Sequence, residues 1–252
     1  MCLIAFAYKA HPKIRLLVLA NRDEFHQRPT KACAWWGPDK GILSGRDLEA
    51  GGTWLAINRQ GRFAAVTNYR EVPSRPKPES RGLLPLKFLQ SESSANTFYH
   101  AQASHFDKYG GFNLLAFDGQ TLIWTNNRGA RCQTLTSGVH AISNRRLNSN
   151  WPKVQTIRSA LDKIRHGEVK VGDCLSALRD QRRAADSALP DTGVGLETER
   201  LLSPRFIVSD NYGTRCSTVL LIGENGATQL TEVSYGRSGQ QCARKDFEFE
   251  TT

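Results

Sequence analysis

Short apolar runs broken by turn-forming residues dominate the chain, and most of them come in pairs. "CLIAFAY" and "RLLVLAN" flank a turn around Pro12 and predict an opening hairpin. "GGTWLAINRQGRFAAVTNY" reads as two strands about Gln60-Gly61, and "GFNLLAFDGQTLIWTNN" as two more about Asp118-Gly119, a strong hairpin dipeptide. "TLTSGVHAISN" predicts another pair about Ser137-Gly138. Near the end, "RFIVSD" predicts a strand, and "STVLLIGENGATQLTEVSY" a hairpin about Asn225-Gly226. Between these runs the period lengthens. "SRGLLPLKFLQ" and residues 94–106 predict one helix pair. In "WPKVQTIRSALDKIRHG", Val154, Ile157, Leu161 and Ile164 share a helical face, Pro152 suits the first turn and Gly167 the exit. "GDCLSALRDQRRAADSAL" predicts a second helix with Asp173 as its cap. "REVPSRPKPESRG" and "LPDTGVGLETERLLSPR" are read as long loops, a type that often borders sites, and "CAWWGPDKG" as a short one. Paired strands imply mainly antiparallel sheets. Strands, helix pair, strands, helix pair, strands is the order of an α+β fold, two stacked sheets with helices outside, in a four-layer α-β-β-α arrangement. No repeat or composition break divides the chain, so residues 1–252 are read as a single domain.

Composition narrows the function. The chain has 252 residues, 39% hydrophobic and 23% charged, enough for a sizeable core. Its net charge of +10 suits an anionic partner, yet the basic residues are dispersed and no nucleic-acid motif is present, so nucleic-acid binding is set aside. The cysteines Cys2, Cys33, Cys132, Cys174, Cys216 and Cys242 stand far apart without a CxxC or CxxCH, which points to reduced thiols, a cytoplasmic location and no covalent haem. The histidines form no HxH or HExxH, so no metal is expected. Neither N-terminal apolar run reaches the roughly 18 residues of a membrane span or has the plan of a secretory signal. Trp35 and Trp36 are read as core packing, with an apolar ligand platform as the alternative.

The position of Cys2 poses the chemical question. It follows the initiator Met, whose expected removal leaves a thiol and a free α-amine on one residue, a nucleophile with its own base. The opposing reading is a buried strand cysteine. Further on stand "NRDE" at Asn21 to Glu24, Arg28-Pro29, "GGTW" from Gly51, "TNYR" from Thr67, "SRG" from Ser80, "FNLL" from Phe112, Ser143-Asn144 before "WPK", and "STVLLI" from Ser217. In this order the set resembles the NRDE family, the group that contains the transport-and-Golgi-organisation proteins. That family in turn resembles the N-terminal-nucleophile hydrolases of the choloylglycine hydrolase and penicillin V acylase type. The resemblance implies their fold, with Cys2 as nucleophile, Arg22 and Asp23 beside it, Asn68-Tyr69 supplying an oxyanion amide, Asn144 a side-chain donor, and Arg215 completing the site. The spacing of Arg22 and Asp23 departs from that of the hydrolases, so the resemblance fixes their place more firmly than their roles. The NRDE resemblance also implies haem trafficking, and hence a second reading.

The first reading is a Cys2-centred hydrolase of amides or thioesters that needs no cofactor. A guanidinium would favour the thiolate, the α-amine would act as base, Asp23 would orient that amine, and the Tyr69 N–H with the Asn144 amide would hold the oxyanion. The second is a non-catalytic haem carrier on the same scaffold, with an apolar slot and an axial ligand from His, Cys or Tyr. Either takes a small acyl or haem-like ligand. Each site residue also has a structural role open to it. Arg22 and Asp23 can form a structural ion pair, Asn68 and Asn144 can make turns, and Arg215 can be surface charge.

Overall fold

The computed structural model describes residues 2–37, 41–72, 77–129 and 131–251. Met1, residues 38–40 of the Trp-rich stretch and residues 73–76 of the Pro-rich loop lie outside them. In chain order the strands and helices are β1 (Cys2–Tyr8), β2 (Ile14–Phe25), β3 (Thr30–Trp35), β4 (Ile42–Asp47), β5 (Leu55–Asn58), β6 (Phe63–Asn68), α1 (Leu83–Leu89), α2 (Ala95–Gln102), β7 (Phe112–Phe117), β8 (Leu122–Asn126), β9 (Gln133–Thr134), β10 (Gly138–Ile142), α3 (Pro152–Ile164), α4 (Val171–Leu178), α5 (Leu196–Leu202), β11 (Tyr212–Gly223), β12 (Ala227–Tyr235) and β13 (Gln241–Glu250). They build a six-stranded sheet, β10-β1-β2-β11-β12-β13, and a seven-stranded sheet, β3 to β9 in sequence order. Every pairing is antiparallel.

The period of two in β1 and β2 explains the layering. Ile4, Phe6, Leu16 and Val18 point between the sheets, where they meet Ile57, Phe63 and Phe117. The alternate residues Leu3, Ala5, Leu17 and Leu19 face Val154, Ile157 and Leu161 of α3 and Leu178 of α4. On the far side, Leu84 and Phe88 of α1 and Phe98 of α2 cover Leu114 and Phe112 of the seven-stranded sheet. The central strands are thus buried on both faces, which is why they read as continuous apolar runs. Each buried Leu, Ile, Val or Phe among them contributes about 1.5–3 kcal/mol. The result is the expected α-β-β-α stack.

The hairpins about Gln60-Gly61, Asp118-Gly119 and Asn225-Gly226 form as read. Gly119 and Gly226 supply φ angles of +98° and +87°, conformations costly to a residue with a Cβ. The pair about Ser137-Gly138 does not form a hairpin. β9 joins β8 and β10 joins β1, so the chain passes there from one sheet to the other, with Leu135 buried between them. "RFIVSD" is not a strand, because the N–H of Ile207 donates to the Thr214 hydroxyl instead of a ladder partner. Part of the Trp-rich loop is β3. Trp35 packs edge-on to Phe249 at 5.1 Å, and the Trp36 indole donates to the Ser44 carbonyl.

The cap of α4 is Lys170, not Asp173, which lies in the first turn where its charge suits the helix dipole. That helix stops at Leu178. Two residues later Asp180 accepts the N–H of Arg182 and takes ion pairs from Arg182 and Arg205, a turn that competes with helix. The second long loop contains α5, and β13 adds an edge strand that the apolar pattern does not reveal. Among the described residues no helix is long and apolar enough to cross a membrane.

Candidate active site

Strand alternation splits Asn21 to Glu24 between two faces. Asn21 turns toward the helices, where its amide donates to the carbonyls of Leu178 and Arg205 at 3.0 and 2.7 Å. Asp23 faces the same way, and its Oδ1 accepts the Thr214 hydroxyl at 2.7 Å. Arg22 turns between the sheets. It stacks over Trp54 at 4.5 Å, donates to the Thr30 hydroxyl at 3.1 Å and lies 3.4 Å from Asp47. The ladder pairs Arg22 with Cys2 on one side and Cys216 on the other, so the three share a row across the sheet.

Cys2, Arg22, Asp23 and Asn68 line one cleft of about 120 Å³, together with Glu24, Arg28, Asp47, Trp54 and Arg81. Its walls come from the NRDE, GGTW, TNYR and SRG segments. The glycines of two of them touch. A Cβ on Gly52 would lie 2.5 Å from the carbonyl carbon of Gly82, and the N–H of Thr53 donates to that carbonyl at 3.0 Å. This close approach brings the GGTW turn against the start of α1.

Burial dominates the titration of the central groups. It pushes the Cys2 thiol up, Asp23 and Glu24 add to the effect, and Arg22 opposes it. Burial also raises Asp23, against the Lys153 charge and the Thr214 bond. The same effect brings Lys153, enclosed at the start of α3, down to about 8, with Asp23 opposing. At Asp47 burial is outweighed by the Arg28 hydrogen bond, the Ala50 N–H and the charges of Arg28 and Arg22, which hold the carboxyl below its ordinary range.

The other expected site residues divide. Asn144 is fully buried and bonded, its Nδ2 donating to the Asn68 carbonyl at 2.9 Å. Its neighbour Ser143 places a hydroxyl 3.1 Å from the Cys2 carbonyl and 3.0 Å from Asn144 Oδ1, with one proton to serve either. Asn144 thus ties the end of β6 to the start of β1 instead of lining the cleft. The Tyr69 N–H, expected at an oxyanion, donates to the Gly111 carbonyl at 2.8 Å. Arg215 also lies off the cleft. A bulge between Thr214 and Cys216 turns it to the carbonyls of Phe25 and Arg28, at 2.8 and 3.2 Å, where it closes the β2–β3 turn. The Asn68 side chain lines the cleft and makes no hydrogen bond among the described residues, so its amide is available as a donor. Sequence reasoning singled out neither Arg81 nor Lys153. The position of Arg81 inside the SRG motif was the available signal.

Among the described residues no group of three or more His, Cys, Asp or Glu side chains could hold a metal ion, and all six cysteines are free thiols.

Comparison with known proteins agrees with this plan. The family model of Transport and Golgi organisation 2 matches residues 1–237. The mouse Transport and Golgi organization 2 homolog is 32% identical, with 93% of each chain covered. The Drosophila melanogaster Transport and Golgi organization protein 2 is 25% identical over 98% of this chain and 99% of its own. Among solved structures, the Caenorhabditis elegans ortholog of N-acylethanolamine-hydrolyzing acid amidase superposes with a TM-score of 0.50 and 10% identity, covering 87% of this chain and 92% of that one. This last likeness is one of fold, that of the N-terminal-nucleophile hydrolases. With the family match spanning the cleft and every strand but β13, the chain belongs to the Transport and Golgi organisation 2 family.

Proposed function

We propose that the cleft carries out Cys2-dependent acyl transfer, hydrolysing an amide or a thioester. The observation that carries this reading is the convergence of Cys2 with Arg22, Asp23 and the free Asn68 amide at one small cleft, from segments far apart in sequence. In the proposed cycle, removal of Met1 frees the Cys2 α-amine. That amine takes the thiol proton as sulfur attacks the substrate carbonyl, and Asn68 donates to the oxyanion. An oxyanion donor of this kind is worth about 2.7–4 kcal/mol. The tetrahedral intermediate collapses, the C–N or C–S bond breaks, and the leaving group takes the proton back from the ammonium. Water then attacks the acyl-cysteine by the same route, returning the thiol and releasing the acid. Arg22 favours the thiolate against the burial that opposes it.

The cleft supports this reading over a haem slot. Its volume of about 120 Å³ is well under the roughly 300–1,000 Å³ usual for sites that enclose a larger ligand, and charged groups line it. The test is hydrolysis of a small panel of acyl amides and thioesters, with haem titration in parallel. Wild type is expected to turn over at least one substrate class, and Cys2→Ser to fall to the uncatalysed rate while staying folded. Equal hydrolysis by both proteins, or saturable haem binding without hydrolysis, defeats the proposal.

A further inference from the structure

We propose that Arg81 is an anion anchor, and that the site takes acyl compounds carrying a carboxylate close to the carbonyl that Cys2 attacks. The proposal rests on the acyl-transfer reading and names its substrate class. Arg22 and Arg28 share Asp47, at 3.4 and 2.7 Å, and Glu24, at 4.0 and 3.9 Å. Arg28 also holds Glu49 at 2.9 Å. Asp23, at the cleft's edge, accepts the Thr214 hydroxyl and has the Lys153 charge nearby. Arg22, Arg28, Asp47, Glu24 and Glu49 thus each have a counter-charge within 4.0 Å.

Arg81 is different. It is partly buried on the same cleft and forms no ion pair among the described residues. Its side chain makes one hydrogen bond, from Nη1 to the Gly111 carbonyl at 3.2 Å. A guanidinium has five N–H donors in a planar fork suited to a carboxylate, so most of this one's capacity is unspent. Glu71, the carboxylate on that side, is taken by a two-pronged contact with Arg128 at 2.5 and 2.6 Å. Burial works against the Arg81 charge, and Glu24, Glu71 and Cys2 are the groups that support it, which puts the guanidinium within electrostatic reach of the thiol. A desolvated charge that no carboxylate among the described residues touches directly is costly, and an anionic substrate group within hydrogen-bond reach would relieve that cost.

The backbone holds the anchor in place. Gly82, next in sequence, is pressed on Gly52, and a Cβ on Gly110 would lie 3.1 Å from Nη1, so Gly110 leaves the space the guanidinium uses. The cleft offers little to a long apolar chain, since the face of Trp54 is already covered by Arg22. Recognition there falls to charge and hydrogen bonding.

Two electrophiles of similar size test the anchor, iodoacetate and iodoacetamide, with the exposed Cys242 as internal reference. The iodoacetate-to-iodoacetamide rate ratio should be higher at Cys2 than at Cys242, and should fall about tenfold or more in Arg81→Gln. A ratio equal at the two cysteines, or unchanged by Arg81→Gln, overturns the anchor. A binding measurement separates this from the fate of the nucleophile. Cys2→Ser protein is titrated by calorimetry with N-acetylglycine, its neutral amide N-acetylglycinamide, and inorganic phosphate. The acid should bind more tightly than the amide, and Arg81→Gln in that background should remove the difference. Acid and amide binding alike, or neither binding, overturns the anchor whatever Cys2 does. Phosphate binding more tightly than N-acetylglycine overturns the carboxylate assignment. Acid-selective binding in a protein whose Cys2 reacts with neither electrophile leaves the anchor standing and removes the acyl-transfer reading.

Discussion

Arg22 does three things at one position. It stacks on Trp54, ties β2 to the opposite sheet through Thr30 and Asp47, and stands beside Cys2 in the ladder. Its charge works against the burial that pushes the thiol up. The sign of the pH dependence follows. Burial favours the neutral thiol, so the reactive thiolate forms at higher pH than the roughly 8.5 of a free cysteine. The rate of Cys2 alkylation by iodoacetamide should therefore climb with pH to a midpoint above that value. In Arg22→Gln the midpoint should move higher still and the rate near neutral pH should drop, while Asp47 keeps Arg28. A midpoint below the free-thiol value, or one indifferent to Arg22→Gln, would falsify this electrostatic account. At this scale Cys2, Arg22, Asp23 and Asn68 were legible because they sit at strand ends in a recognisable order. The commitments of Tyr69 and Asn144 were not. Each depends on a carbonyl brought in by folding, Gly111 for the first and Asn68 for the second. Arg81 was legible only as part of a motif, since its lack of an ion pair is a property of the assembled cleft.

Among the elements, local chemistry decided what could be read. Asp118-Gly119 and Asn225-Gly226 announce tight turns because few other residues tolerate those backbone angles. Ser137-Gly138 carries a similar signal, yet the strands on either side belong to different sheets, and no local pattern says which partner a strand will choose. The GGTW and SRG segments show the same limit from the other side, since their glycines make sense only as a pair in contact. Gly52→Ala should thus force the turn after β4 away from the start of α1, because the new methyl would meet backbone at 2.5 Å rather than a movable side chain. We expect a loss of roughly 1–3 kcal/mol in chemical denaturation, in line with other overpacked sites. Cys2 alkylation should slow as well, since the cleft wall moves. Unchanged stability in Gly52→Ala would mean that the contact is not needed.

For the molecule as a whole, the four layers were readable because strand pairs and helix pairs alternate along the chain, and each helix pair covers one sheet. The outer edge of the six-stranded sheet was not readable. β13 has the sequence "QCARKDFEFE", in which only Phe247 and Phe249 lean on the core, and Arg244 and Asp246 pair on its exposed face. Such charge on an edge discourages pairing with other chains, and it erases the apolar pattern that would mark a strand. The strand also lies past residue 237, where the family match ends. The stack of sheets is what brings the start of β1, the end of β2 and the end of β6 to one mouth, and the central claim is that this mouth holds a nucleophile. Intact-mass spectrometry after incubation with a short acyl thioester, followed by peptide mapping, tests that claim most directly. The account predicts a protein lacking Met1 that gains the mass of one acyl group, located on Cys2, with no such adduct in Cys2→Ser. A protein that keeps Met1 and leaves Cys2 unmodified, or an adduct found only on Cys242, would contradict it.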